Sequence, residues 1–244
     1  MTNEKALVLF SGGMDSATLL LYYKQVRKCN VTALLIDYGQ RHRIELRYAK
    51  RFCKKYSIPY LEISLRTFFS QLKHIVKKSS PEKMHLYPLI MGTLKNVPKE
   101  SKFKNVPISS VPYRNLLFIV VASVIASVLD FDVIGIAVTK HDGDYPDCTS
   151  EFFSKLKQVL EISSESKAPV VETPFLNLTK KEIVELGLKL GVDYSLTYSC
   201  YSGKEKPCGV CFACELRNYA LQEIERESHT SLGYDNTQQK EVKQ

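Results

Sequence analysis

The sequence predicts an α/β fold, a doubly wound and mostly parallel sheet with a small cysteine-rich subregion at its C-terminal end. Three observations lead to this fold class. Apolar strand segments alternate with helical segments through the first 65 residues, which is typical of βαβ units. A Ser-Gly-Gly turn follows the first strand directly. Four cysteines crowd into one short segment after residue 199.

Composition is that of a globular protein with one substantial core. The chain has 244 residues, of which 44% are hydrophobic and 25% are charged, and this balance argues against disordered and fibrous classes. No stretch is apolar enough to span a bilayer. Glu4 and Lys5 stand where a signal peptide would have its apolar core, so we expect a cytoplasmic protein.

The net charge of +8 is compatible with either a nucleic-acid partner or an anionic small substrate. Lysines and arginines are spread over helical segments, as in 41–55, and no basic run interleaved with aromatic residues accompanies them. Such faces are usually solvated. We therefore expect small-molecule substrates and no direct nucleic-acid binding.

The pattern along the chain predicts the following elements. Apolar runs predict strands, and apolar residues at helical spacing predict helices. Thr179 and Glu182 form a capping-box pattern ahead of one helix, and Gly191 can end it. The predicted strands are 7–10, 31–36, 58–63, 133–138 and a short one from Val170, and the predicted helices are 17–28, 41–56, 67–78, a buried 114–129, 151–162, 180–190 and 214–227.

The chain divides into a main α/β domain, residues 1–192, a cysteine knuckle with the last helix, 193–228, and a polar tail, 229–244. The main domain contains an irregular insertion at about 67–112, which carries five prolines among lysines and serines. Long irregular connections in compact domains are often functional. We therefore interpret the insertion as a lid rather than as part of the core, and we expect the tail to fray.

The turn from Phe10 to Ser16 has the features of a polyphosphate site. Its adjacent glycines, Gly12 and Gly13, let the backbone turn N–H groups towards an anion, and the helix that follows adds its positive N-terminal dipole. The turn lacks the Gly-Lys-Ser/Thr of a Walker A loop and the Gly-x-Gly-x-x-Gly of a dinucleotide site. The alternative is an ordinary turn between a strand and a helix.

Ligands of open parallel sheets bind beyond the carboxyl ends of the strands, where three loops carry polar residues. In the first loop, Asp15 is a candidate Mg²⁺ or water-orienting carboxylate, and Ser11 and Ser16 are candidate phosphate donors. The second loop, 37–42, is explained equally well as a structural turn. The third, 141–148, has three carboxylates and is either a Mg²⁺ and substrate site or a polar turn.

Arg114 and Asn115 stand at the start of the long apolar helix predicted for 114–129. A guanidinium at this place can pair bidentately with a phosphate or a carboxylate. Spacing alone makes Arg114 a candidate only.

The cysteine segment follows the spacing Cys-x7-Cys-x2-Cys-x2-Cys, from Cys200 through Cys208 and Cys211 to Cys214. Four thiolates complete a tetrahedral Zn²⁺ shell with no open position, which indicates a structural site. A redox pair or an iron–sulfur cluster is the alternative. Cys29 and Cys53 lie on helix faces and are expected to be small buried side chains.

The Ser-Gly-Gly-x-Asp-Ser turn resembles the loop of the N-type ATP pyrophosphatases, which have a HUP-like fold. With the sheet and the knuckle, the chain resembles the 7-cyano-7-deazaguanine synthase family of queuosine and archaeosine biosynthesis. The resemblance extends to about Asn218 and rests on these segments: Phe10 to Ser16, Asp37 to His42, Val111-Pro112 with Arg114-Asn115, Tyr145 to Cys148, Thr173-Pro174, Leu178 to Lys180, Ser195 to Tyr201, and Pro207 to Arg217.

The resemblance implies that ATP activates the carboxylate of 7-carboxy-7-deazaguanine, that ammonia gives an amide, and that a second activation gives the nitrile. It implies ATP, Mg²⁺ and Zn²⁺ as cofactors and a homodimer as the assembly. Motifs and resemblance together assign ATP binding to Phe10, Ser11, Gly12, Gly13, Met14, Asp15, Ser16, Ala17, Thr18 and Asp37; catalysis to Asp15, Ser16 and Arg114; substrate binding to Gln40, His42, Arg114, Asn115, Asp142, Tyr145 and Asp147; and metal binding to Cys200, Cys208, Cys211 and Cys214.

Two segments depart from the family's usual pattern. Tyr113 stands where glycine is usual. In the acidic loop, whose usual sequence is Asp-Tyr-Ser-Gly-Tyr-Pro-Asp-Cys-Arg, Gly143 and Asp144 precede Tyr145 and Thr149 follows Cys148. Two other functions therefore stay open. One is an ATP-dependent ligase that activates a different acid or a macromolecule, and the other is a zinc-bearing tRNA-binding protein.

Overall fold

In the computed structural model, residues 4–81, 102–103, 106–107, 111–165 and 167–228 are described. A five-stranded sheet has the order β3-β2-β1-β6-β7, and every neighbouring pair is parallel. Its strands are β1 (Lys5–Leu9), β2 (Asn30–Asp37), β3 (Tyr60–Ser64), β6 (Val133–Gly135) and β7 (Val170–Glu172). Two short antiparallel strands, β4 (Lys102–Phe103) and β5 (Val106–Pro107), form a separate pair.

The strand order reverses direction at β1, which makes the sheet doubly wound. From β1 the chain proceeds outward through β2 and β3, then returns to the other side of β1 as β6 and β7. Val8 of β1 lies opposite Ala33 of β2 on one side and Gly135 of β6 on the other. The predicted fold class is confirmed, and the crevice at this reversal is where such sheets bind ligands.

The described residues contain seven helices, and six of them cover the two faces of the sheet. Alternate residues of a strand point to opposite faces, so Val8 joins one core with α1, α2, α6 and α7, whereas Leu7 and Leu9 join a second core with α4 and α5. The helices are α1 (Met14–Leu21), α2 (Ile44–Lys55), α3 (Arg66–Ser79), α4 (Arg114–Leu129), α5 (Ser150–Ser163), α6 (Lys180–Lys189) and α7 (Phe212–Ser228).

Helix α4 has the predicted bounds, but the prediction that it is buried is wrong for half of its surface. Ile119, Ala122 and Ala126 are fully buried against the sheet. Val124 and Val128, on another face, are 61% and 73% exposed. A single helix layer buries only the stripe that faces the sheet, and no described residue covers the outer face of α4 at these two positions.

Strand β6 ends at Gly135, three residues earlier than predicted. Ile136 still donates its N–H to the carbonyl of Glu172, at 3.1 Å, and beyond this bond the chain leaves the sheet. Ile136 and Ala137 then line a cavity at the sheet edge. The first helix also differs from its prediction, because it begins at Met14 and widens into a π-helical turn over Tyr22–Val26.

The predicted insertion begins with regular structure. Helix α3 confirms the helix expected there, and its Phe69 packs against Tyr38, with ring centroids 5.6 Å apart. The other predictions for the insertion concern residues 82–101, 104–105 and 108–110, which lie outside the described residues, as does the tail 229–244. None of the helices in the described part of the chain is long and apolar enough to cross a bilayer.

The last helix packs into the main core. Ala220, Leu221 and Ile224 of α7 are buried together with residues of α1 and α6. The predicted capping box of α6 forms as well, because the Thr179 hydroxyl accepts the Glu182 N–H and the Glu182 carboxylate accepts the Thr179 N–H. The division at residue 193 stays a prediction.

Candidate functional site

A cavity of about 320 Å³ lies at the carboxyl ends of the central strands. Leu9 and Phe10 close it at the end of β1, Leu34 and Ile36 at the end of β2, and Ala137 after β6. The polar lining comes from segments far apart in the chain. Of the predicted site residues, the lining includes Phe10, Ser11, Gly13, Met14, Asp15, Ser16, His42, Arg114, Asn115, Asp142 and Tyr145.

The Ser-Gly-Gly turn is held by hydrogen bonds within itself. The Gly13 N–H donates to Ser11 Oγ at 3.2 Å, and the Ser16 hydroxyl lies 3.2 Å from the Gly13 carbonyl and 3.1 Å from Ser11 Oγ. Gly13 is the N-cap of α1 and supplies no side-chain acceptor. The first N–H groups of a helix have no intrahelical partners, so the positive end of α1 opens at the cavity and is suited to phosphate.

The conformation and packing of the turn require glycine at position 12. Its φ is +87°, a conformation that residues with a Cβ rarely adopt. A Cβ at this position would lie 2.5 Å from the carbonyl oxygen of Glu45 in α2. The glycine therefore lets the loop pack directly on the backbone of the second helix.

Asp15 and Lys180 form an ion pair across the cavity wall. Lys180 Nζ lies 2.6 Å from Asp15 Oδ1 and also contacts Oδ2. Both side chains line the cavity, and that of Lys180 is largely buried. This pair places a cation beside the phosphate loop, at a residue that the sequence reasoning did not assign to the site.

Arg114 lines the same cavity as the phosphate turn and lies among aromatic residues. Its guanidinium is close enough to Tyr38, Tyr145 and Tyr201 for electrostatic interaction, and no ion pair among the described residues involves it. Burial raises the pKa of Tyr38 to about 12, so this phenol stays neutral. A buried guanidinium with neutral neighbours is a favourable place for a ligand carboxylate or phosphate.

The start of α4 is fixed by the acidic loop. The backbone N–H of Asn115 donates to Asp147 Oδ2 at 2.9 Å, and Asn115 Nδ2 lies 3.0 Å from Cys148 Sγ. Tyr113, the N-cap of α4, provides no side-chain acceptor. Asp147 therefore caps the helix from a distant segment, and the carboxylate is not in the cavity lining.

Asp142 and Tyr145 contribute the cavity wall opposite the phosphate loop. Asp142 Oδ2 accepts the N–H and the hydroxyl of Thr139, both at 2.9 Å, and thereby closes a short helical turn over Lys140–Asp142. The acidic loop acts as a polar turn, because the carboxylates of Asp142 and Asp147 stabilise local structure. Three of its residues, His141, Asp142 and Tyr145, also line the cavity, and binding of Mg²⁺ or substrate by the loop stays a prediction.

His42 and Glu45 form a buried polar pair on the cavity wall. Glu45 Oε1 accepts the Gln40 side-chain N–H at 2.8 Å, and Oε2 lies 3.4 Å from His42 Nε2. Burial raises the pKa of Glu45 to about 8, and burial together with the charge of Arg114 lowers the pKa of His42 to about 4. The histidine is therefore neutral at physiological pH.

Six of the residues predicted to bind ATP or substrate do not line the cavity. The Thr18 hydroxyl is 2.8 Å from the buried Tyr194 hydroxyl. Asp37 is buried, pairs with Arg43 at 2.6 Å and accepts the Gly39 N–H. Their roles in ligand binding stay predictions. The six are Gly12, Ala17, Thr18, Asp37, Gln40 and Asp147.

The positions that depart from the family pattern, Tyr113, Gly143, Asp144 and Thr149, also lie outside the lining. Tyr113 has φ +55° and a side chain that is 75% exposed, which explains why glycine suits this position. The Thr149 side chain accepts the Phe152 N–H at 3.1 Å as the N-cap of α5. Neither side chain changes the described surface of the cavity.

The four clustered cysteines come together as a possible metal site. The Sγ atoms of Cys200, Cys208, Cys211 and Cys214 all lie within 4.8 Å of one another. The N–H groups of Ser202 and Cys208 lie 3.3 and 3.2 Å from Cys200 Sγ, and such donors favour a thiolate. Four mutually close sulfurs fit a tetrahedral metal ion.

The cysteine segment also contacts both the phosphate turn and the surroundings of Arg114. The Tyr198 N–H donates to the Gly12 carbonyl at 2.9 Å, so the segment holds the phosphate loop. Tyr201 lies beside Arg114, and its ring centroid is 6.0 Å from that of His42. The knuckle is thus continuous with the site.

Sequence reasoning missed several lining residues. Lys180 follows Thr179 of the predicted capping box, and this position was the one indication of Lys180 that the sequence offered. Tyr38 lies within the second loop, Glu45 follows that loop, and Tyr201 follows a predicted cysteine ligand. Nothing in the spacing indicates that these segments converge.

Comparison with known proteins identifies the family. The family model described as Queuosine biosynthesis protein QueC matches residues 5–225. Proteins named 7-cyano-7-deazaguanine synthase are similar over 91% of the chain: that of Aquifex aeolicus is 39% identical (98% of its length), that of Sulfurihydrogenibium sp. 37% (96%) and that of Leptospira interrogans 40% (88%). The chain belongs to the QueC family.

Proposed function

We propose that this enzyme converts 7-carboxy-7-deazaguanine and ammonia into 7-cyano-7-deazaguanine, with consumption of ATP, in queuosine biosynthesis. Its relatives carry the name of this activity. The observation that carries the proposal is the single cavity that joins a phosphate-binding turn to a buried guanidinium. A carboxylate-activating enzyme needs both ends within one site.

The turn and the start of α1 suit the phosphates of ATP. The amide groups at the helix N-terminus and the cation of Lys180 would stabilise the charge that develops on pyrophosphate as it leaves. Asp15 is the carboxylate in this part of the lining and would hold the Mg²⁺ that accompanies ATP. Bound Mg²⁺ would neutralise charge on the phosphoryl oxygens.

Arg114 suits the carboxylate of the acid. Bidentate pairing would orient the carboxylate oxygen towards the α-phosphorus of ATP. Tyr38, Tyr145 and Tyr201 surround this end and offer aromatic surface to the flat deazapurine.

The reaction then needs no protein nucleophile. The carboxylate oxygen attacks the α-phosphorus, pyrophosphate leaves, and the resulting acyl adenylate has the leaving group that a carboxylate lacks. Ammonia displaces AMP and gives the amide. A second ATP then activates the amide oxygen, which leaves as part of AMP while the nitrogen loses its proton, and the nitrile forms. The site contributes orientation and stabilisation of charge.

We propose Zn²⁺ as the metal of the cysteine cluster, in a structural role. Four thiolates leave no position for substrate. The ion would fix the segment that holds Gly12 through the Tyr198 N–H and that places Tyr201 beside Arg114.

Incubation of the zinc-loaded protein with Mg-ATP, ammonium and 7-carboxy-7-deazaguanine tests the proposal. We expect mass spectrometry to show the amide first and the nitrile later, with release of AMP and pyrophosphate. Absence of amide and nitrile with ATP untouched would refute the proposed function.

The matched variants are Asp15→Asn in the site and Asp130→Asn at the C-terminal end of α4. Asp15→Asn should abolish turnover and leave the fold and metal content intact, whereas Asp130→Asn should retain activity. Loss of folding in Asp15→Asn would contradict the role we assign to Asp15. The homodimer also stays a prediction, which light scattering can measure.

A further inference from the structure

Glu45 is a buried carboxyl group on the cavity wall for which the steps above give no role. The residue is only 8% exposed, and it lines the cavity. Among the described residues, no lysine or arginine forms an ion pair with it, and His42 is its one basic partner in ion-pair range. A buried carboxylate without a cationic partner is costly, so the site favours a ligand that brings a positive charge or a proton.

Burial raises the pKa of Glu45 to about 8, so near neutral pH the group exchanges a proton, and a bound cation favours its ionised form. Gln40 donates one hydrogen bond to Oε1, at 2.8 Å. His42 approaches Oε2 more loosely, at 3.4 Å, and is neutral because burial lowers its pKa to about 4. No cation is therefore paired directly with Oε2, and the charge of Arg114 acts on the carboxyl group only through a longer-range electrostatic interaction.

Glu45 touches both halves of the site. Its backbone carbonyl packs against Gly12 of the phosphate turn. Its side chain is close enough to Arg114 for electrostatic interaction. A small cation bound at the carboxylate would therefore lie in the cavity that Arg114 and the phosphate turn also line.

We propose that the Glu45 carboxylate binds ammonium in this cavity and takes a proton from it, so that ammonia is released beside the activated acid. The inference rests on the proposed function and names the group that activates its second substrate. Ammonium predominates in neutral solution and has no lone pair, so the nucleophile must lose a proton before it attacks.

The protons and bonds balance in this step. One N–H bond of ammonium breaks, and its proton forms the O–H bond of the Glu45 carboxyl group. The nitrogen lone pair forms a C–N bond to the acyl carbon, the bond from that carbon to the AMP oxygen breaks, and a second proton passes from nitrogen to the departing phosphate. Glu45 returns its proton to solvent before the next turnover.

Replacement of the nucleophile tests the proposal. Hydroxylamine is largely unprotonated at neutral pH, so it needs no base to attack an acyl adenylate. In Glu45→Gln, we expect kcat/KM for ammonium to fall about 100-fold, while hydroxamate formation from hydroxylamine stays within a few-fold of the wild-type rate. Glu45→Asp, which retains a carboxylate, should use ammonium better than Glu45→Gln does.

Matched measurements keep the outcomes distinct. Glu62→Gln, outside the cavity, should match the wild type with both nucleophiles, and thermal melting should show that each variant folds. Wild-type use of ammonium by Glu45→Gln would overturn the inference alone, and so would equal loss of both nucleophiles, which indicates a role in placing the acid. If the wild-type protein forms neither amide nor nitrile, the proposed function itself fails.

Discussion

The two ends of the cavity are built in different ways. The phosphate end is one contiguous turn, in which Ser11, Gly13 and Ser16 hydrogen-bond to one another. The acid end is Arg114 surrounded by side chains from β2, α2, the acidic loop and the knuckle. A contiguous turn depends on a few backbone angles, whereas an assembled end depends on every segment that reaches it.

The knuckle should be the one element whose loss damages both ends. In Cys208→Ser, we expect metal content and melting temperature to fall together, because structural zinc contributes on the order of 10 kcal/mol to small domains. Loss of the Tyr198 and Tyr201 contacts should also remove activity. Metal analysis and calorimetry provide the measurement.

Cys29→Ser is the matched control for the knuckle. Cys29 lies outside the cluster, and its thiol donates to Glu4 Oε2 at 3.1 Å, a bond that a hydroxyl can replace. Metal content should therefore be unchanged. Unaltered metal content in Cys208→Ser would show that Cys208 is not a ligand.

The phosphate end alone should fail in Gly12→Ala. The φ of +87° and the 2.5 Å approach to the Glu45 carbonyl leave no space for a Cβ. We expect at least about 1–2 kcal/mol lost from the free energy of unfolding and a large rise in KM for ATP, measured by denaturant titration and steady-state kinetics.

Gly13→Ala is the neighbouring control, because its Cβ would meet the Ser11 hydroxyl at 3.3 Å and Gly13 has an ordinary φ of −81°. Its losses should be clearly smaller. If Gly12→Ala and Gly13→Ala had equal effects, the stability of the turn would depend on its number of glycines rather than on the backbone angle at Gly12.

The acid end alone should respond to Asp147→Ala. Loss of the acceptor for the Asn115 N–H removes the cap of α4, which costs about 1 kcal/mol, and loosens the position of Arg114. We expect KM for the acid to rise and KM for ATP to stay unchanged. Asp147→Asn keeps an acceptor oxygen and should preserve most activity; a fall in ATP affinity would show that the two ends are not independent.

The smallest expected effect is a gain of stability in Tyr113→Gly. Glycine adopts the left-handed conformation of this position without the strain that tyrosine has, but it loses more conformational entropy on folding. The net effect should be an increase of about 0.5–1 kcal/mol in the free energy of unfolding. Kinetic constants for the acid should not change, because Tyr113 is outside the cavity lining. Tyr113→Ala retains a Cβ and should bring no such gain, as a denaturant titration would reveal.

Features that depend on local sequence patterns could be predicted before the structure was known. The alternation of strands and helices gave the parallel sheet, the capping box at Thr179 gave the start of α6, and the spacing of four cysteines gave the cluster. Each of these depends on residues close together in the chain, for which propensity and stereochemistry are sufficient.

The tertiary structure alone decided which side chains meet. Lys180 pairs with Asp15 across 165 positions of the chain, Asp147 caps a helix that begins 33 residues earlier, and Glu45 reaches the cavity through the packing of α2 on Gly12. It also decided that only one stripe of α4 is buried. The physical reason is that these contacts depend on how the helices pack and where the strands end, and neither leaves a local signature in the sequence.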